Sequence, residues 1–169
     1  MFQKILVPLD GSDLAAQVLP EVEELAKAFK SEITLITVGS LMDMIATADE
    51  FSYKGLDEFA AEMRKAAEGK LVNYAAKIKA KGLNVKYVYI EGNSAIEIIK
   101  YAAKNNYDLI AMATHGKGEI AWVLGSVAEK VVSHSTVPVL LKRVLPIRQP
   151  VSKKDDADRA TIDASEMPA

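Results

Sequence analysis

Cysteine is missing from all 169 residues. Disulfides, thiolate metal sites and cysteine nucleophiles are thereby excluded, and the composition fits a reducing compartment. Long apolar runs are missing too: none approaches the roughly 20 residues that span a bilayer. The opening MFQKILVPLDGSD turns polar too soon for a secretory leader. The expected location is therefore cytoplasmic, with no membrane partner. Charge of one sign is scarce: 21 Lys and Arg against 23 Asp and Glu leave a net charge of −2. That balance offers no concentrated basic footprint, so nucleic acid is not an expected partner. Two histidines without a carboxylate at ligand spacing do not make a metal site. Neither a G-x-S-x-G elbow, nor G-x-x-x-x-G-K-[ST], nor G-x-G-x-x-G is present. With Asp10 as the one carboxylate of interest at a strand end, no dedicated catalytic constellation emerges.

What is present is an ordinary globular composition, 50% apolar and 26% charged. Short apolar runs at 4–9, 32–38, 85–90, 108–113 and 137–142 suit buried strands. Between them lie helical periodicities. The first, from Ala15 to Phe29, contains Pro20, which should kink it or remove a bond. The second covers 56–80 and ends at Gly82. The third starts at Ser94, where Ser94 and Glu97 suggest a capping box, and turns Ala95, Ile98, Ile99, Ala102 and Ala103 inward. The fourth runs to about residue 134, so that His134 sits favourably at a helix end. Residues 39–55 show no clear period. Strand–helix alternation predicts an α/β domain, a mostly parallel sheet with helices on both faces. The domain is expected over residues 1–143. The tail 144–169, with Pro146, Pro150 and Pro168 and a KKDD cluster, is expected to be disordered or loosely docked.

The stretch at 113–130, ATHGKGEIAWVLGSVAEK, follows the fourth strand. Ser126 and Glu129 read as a capping box, so a helix should start at Ser126 behind Gly125. A helix start offers unpaired N–H groups and a positive dipole end, which suit a phosphate. Gly116 and Gly118 allow the loop to curl, and Gly125 would let an anion reach the backbone. The competing reading is that Gly116 and Gly118 turn the chain and Gly125 packs against the sheet. Asp10 also follows a strand, so it lies on the same sheet edge. Alone, Asp10-Gly11-Ser12 is equally a plain turn or helix cap.

KILVPLDGS, TLITV, EGNSAIEII, MATHG and WVLGSVAEKVVSHSTVPVLL occur here in order. Over residues 2–143 the chain thereby resembles the universal stress protein family. The resemblance implies a three-layer α/β/α fold with a five-stranded parallel sheet of order 3-2-1-4-5, and a homodimer paired through the last strand, 137–142. The family's ATP-binding pattern is G-x-x-G, nine residues, then G-[ST]. Here Ala113 replaces the first glycine, and the spacer KGEIAWVL before Gly125-Ser126 has eight residues. By resemblance Asp10 contacts ribose, with Pro8 and Leu9 beside it. Val38 lies against adenine, and Met112 and Ala113 border base and ribose. Gly116, Lys117, Gly125, Ser126 and Val127 cradle the phosphates, while His115 shapes the loop. The implied ligand is ATP, or AMP or ADP, with Mg²⁺ arriving on the phosphates. The implied role is a stress-response regulator with an unidentified protein partner. Two alternatives remain open: an interaction module without nucleotide, and a slow ATP hydrolase.

Overall fold

The computed structural model describes residues 1–40, 55–116 and 124–144. Elements follow in the order β1 (Lys4–Pro8), α1 (Asp13–Ala16), α2 (Leu19–Phe29), β2 (Glu32–Gly39), α3 (Leu56–Ala80), β3 (Val85–Glu91), α4 (Ser94–Lys104), β4 (Leu109–Ala113), α5 (Ser126–His134) and β5 (Val139–Lys142). All strand pairs are parallel, and the strand order is β3-β2-β1-β4-β5. Central strands are buried on both sides: Ile5, Leu6 and Val7 are each 0% exposed. This two-sided burial explains why they read as continuous apolar runs rather than alternating ones.

Alternate strand residues feed two cores. Ile5, Val7, Ile33 and Leu35 meet α2 and α3 through Val22, Ala26, Leu71 and Ile78. Leu6, Ile36, Ile110 and Met112 meet α4 and α5 through Ile98, Ala102, Ala128 and Val131. β1 thus sends its helices to one face and β4 sends its helix to the other. The carboxyl ends of β1 and β4 mark the point where the winding reverses, where open α/β sheets form ligand clefts.

Local chemistry departs from the sequence expectations in three places. Pro20 does not kink one helix; the pattern divides into α1 and α2, and Pro20 falls in the first turn of α2. There its missing N–H costs no helical bond. Ser94 and Ser126 are not N-caps. Asn93 caps α4 by accepting from Ile96 N–H at 3.3 Å, and Gly125 is the N-cap residue of α5, without a side-chain bond. Each serine is the first residue inside its helix, so neither box forms. Ala103 is exposed rather than inward, because Ala95, Ile98 and Ala102 already form the buried stripe of α4. Gly82 does follow α3 with φ +78, as a residue after a helix C-cap should. His134 ends α5 with Nδ1 2.9 Å from the Lys130 carbonyl. No described helix is long and apolar enough to cross a membrane.

Candidate functional site

A cleft with about 680 Å³ of space, open to solvent, lies at the reversal point. Pro8, Leu9 and Asp10 enter it from the end of β1. Ile36 and Val38 enter from one face of β2, two residues apart as strand alternation requires. Met112 and Ala113 end β4, Thr114, His115 and Gly116 continue it, and Gly125, Ser126, Val127 and Ala128 begin α5. Every site residue named from sequence lines this cleft except Lys117, which lies outside the described residues, as do the rest of the 117–123 loop and residues 145–169. Ala15, Ile36, Ile98, Thr114 and Ala128 line it without having been named as site residues. The two-residue period from Val38 would have found Ile36. The others emerge only from the packing.

Asp10 is held within its own turn. Its Oδ1 accepts from Ser12 N–H at 2.9 Å and from the Ser12 hydroxyl at 2.6 Å. Ser12 Oγ in turn accepts from Ala15 N–H at 3.1 Å and caps α1. This ties the carboxylate to a helix start and leaves its orientation little freedom.

The glycines have a more particular reason than loop pliability. A Cβ on Gly116 would lie 2.0 Å from Asp10 Oδ2. Gly116 is therefore the seat of the Asp10 carboxylate, which joins the β1 and β4 loops across the cleft mouth. A Cβ on Gly125 would lie 2.8 Å from the Thr114 carbonyl oxygen and 3.6 Å from His115 Cα. The Gly125 N–H donates to that same carbonyl at 3.0 Å. Gly125 thus packs against the exit of β4, and its side-chain space is not left for an anion. The donors that a helix start leaves without helical partners are those of Ser126, Val127 and Ala128. Glu129 N–H already bonds to the Gly125 carbonyl at 2.9 Å.

Thr114 organises the floor. It is 5% exposed, donates its N–H to the Lys142 carbonyl at 2.9 Å, and accepts from Gly125. Its hydroxyl lies 2.9 Å from His115 Nδ1 and accepts from Val144 N–H at 3.4 Å. His115, also 5% exposed, is set by packing and by Thr114. No group of three or more His, Asp or Glu among the described residues could hold a metal ion. Among the described residues, the arrangement offers one carboxylate, a wall of apolar side chains and a run of helix-start N–H groups. That combination suits a ligand with hydroxyls, a flat apolar body and an anionic end.

Comparison with known proteins gives this geometry a context. The profile described as "Universal stress protein family" matches residues 1–143. The chain is 34% identical over 152 residues to universal stress protein YxiE of Bacillus subtilis, covering 85% of this chain and 100% of the relative. It is 32% identical to universal stress protein MJ0531 of Methanocaldococcus jannaschii, covering 83% of this chain and 82% of that one. The solved structure of MJ0577 from the same organism superposes with a TM-score of 0.74 at 28% identity, over 88% of this chain and 99% of that chain. Two more distant solved structures share the fold. One is a universal stress protein in complex with cAMP, with a TM-score of 0.53 at 19% identity, over 85% of this chain and 98% of that chain. The other, from Archaeoglobus fulgidus in complex with dAMP, has a TM-score of 0.58 at 18% identity, over 83% and 98%.

Proposed function

Since the chain belongs to the universal stress protein family, we propose that its cleft binds an adenine nucleotide, ATP first with AMP and ADP as alternatives. In this reading the protein is a cytoplasmic stress-response regulator that acts through its liganded state as a homodimer. One observation carries the proposal: the sheet reversal brings Asp10 and the start of α5 to the same cleft. Asp10 would meet the sugar hydroxyls, and the apolar walls at Val38 and Met112 would flank the base. The N–H groups of Ser126 and Val127, next to Gly116 and Gly125, would face the phosphates. The cAMP and dAMP complexes of distant relatives support an adenine nucleotide as the ligand class.

Mg²⁺ would arrive on the phosphates, because among the described residues the cleft supplies one carboxylate, Asp10, already bonded to Ser12. Hydrolysis, if any, would be slow, since Asp10 is engaged in its turn and His115 is turned to Thr114. Equilibrium dialysis of nucleotide-stripped protein tests the reading. Binding of ATP, ADP or AMP is expected, and no binding at millimolar ligand would overturn it.

A second reading, a dimeric interaction module indifferent to nucleotide, is favoured by Gly116 and Gly125. Both glycines are accounted for by contacts within the chain. Partner capture that does not change when ATP is added would select it.

A further inference from the structure

The turn that carries Asp10 is gripped from the helix layer opposite the cleft. Lys70, on α3, donates from Nζ to the Gly11 carbonyl at 2.5 Å, across 59 positions of sequence. Its aliphatic stem lies along the same residue: a Cβ on Gly11 would meet Lys70 Cδ at 3.2 Å. Gly11 has φ +80, a conformation that only glycine adopts cheaply. Tyr74 sits one turn further along the same face of α3. Its half-buried hydroxyl is held above its ordinary pKa, first by burial and then by the carboxylates of Asp13 and Asp10. Lys70 therefore faces the β1–α1 loop from α3. Lys70 itself does not line the cleft, and α3 packs on the other core.

We propose that Lys70 is a positioning residue for Asp10: by holding the Gly11 carbonyl it fixes the turn whose carboxylate meets the sugar. This rests on the reading of the cleft as an adenine nucleotide site with Asp10 at the ribose. Asp10 is bonded to Ser12, on the far side of Gly11, at 2.6 and 2.9 Å. Movement of Gly11 is therefore transmitted directly to the carboxylate. The effect should be confined to the ligand groups that Asp10 touches.

Isothermal titration of the full chain with ATP and with 2′,3′-dideoxyadenosine triphosphate separates the possibilities. The unsubstituted protein should prefer ATP. K70M should lower ATP affinity about three- to tenfold, the scale of one hydrogen bond, and leave the dideoxy ligand within about twofold. K70R, which keeps a donor, should restore the preference. Loss of affinity for both ligands in equal measure would mean general loosening or a charge effect on the phosphates, and would overturn the proposal. An unchanged ATP preference in K70M would overturn it as well. If the unsubstituted protein binds both ligands equally, the role of Asp10 at the sugar is what fails. If it binds neither, the nucleotide reading fails.

Discussion

At the scale of single residues, the cleft is built from close approaches that a Cβ would forbid. Gly116 and Gly125 look alike in the sequence but face different neighbours, so they predict different outcomes. Gly125 abuts backbone, the Thr114 carbonyl, which cannot move without disturbing β4 and β5. Gly125→Ala should destabilise the fold by about 1–3 kcal/mol, as overpacking does, seen as a lowered Tm. Gly116 abuts the Asp10 carboxylate, which can make room only by giving up its bonds to Ser12. Gly116→Ala should cost about 1 kcal/mol, the scale of a lost hydrogen bond, and should also weaken ATP binding in dialysis, because Asp10 is displaced. Unchanged ATP binding in Gly116→Ala would contradict this division. That a glycine was needed at each position was readable from sequence. What each one approaches was not, because Asp10 lies far from Gly116 along the chain.

At the scale of elements, helix starts and cross-element pairs decide the outcome. Asn93 caps α4 and Ser126 does not cap α5. Asn93→Ala should cost about 1 kcal/mol, whereas Ser126→Ala should cost less than about 0.5 kcal/mol; urea denaturation of the two variants compares them. α2 is tied to β5 by Glu21 and Lys142, whose ammonium donates to Glu21 Oε1. That hydrogen bond, the largest cause, holds the Glu21 pKa below its usual 4.5, with burial working against it. A carboxylate lowered in the folded state adds stability above its unfolded pKa and loses it as pH falls through the folded value. Glu21→Gln should therefore be the less stable protein at neutral pH, and the gap should close below about pH 4.5 in denaturation across pH. The effect should be small, because the two side chains are 38% and 37% exposed.

At the scale of the whole molecule, β5 is a sheet edge among the described residues. β4 donates to the carbonyls of Pro138 and Lys142 from Ile110 and Thr114. In a parallel ladder the neighbouring residues Val139 and Leu141 then turn their backbone groups outward, while their side chains pack into the α4–α5 core. A homodimer through this strand would use those outward groups. Val139→Pro removes an outward N–H and spares the bonds to β4. It should convert a dimer to a monomer in light scattering, and an unchanged dimer would refute the interface. Lysine at either position would strike the core instead, so the proline substitution is the cleaner probe.

Periodicity and composition by themselves determined the strand–helix alternation, element limits to within about two residues apart from the break between α1 and α2, and the placement of Asp10 and Gly125-Ser126 on one sheet edge. These follow from rules that act over a few residues: two-sided burial, helical spacing and the need to follow a strand with a turn. The strand order came with the family resemblance, which carried the pattern of the whole chain. Tertiary structure alone decided that Asn93 is the capping residue of α4 and that Gly125 closes on Thr114. It alone seated Asp10 on Gly116 and brought Lys70 to Gly11 from 59 positions away. Contacts of that kind depend on which segments the sheet brings together, and no local pattern in a single chain encodes a neighbour that distant.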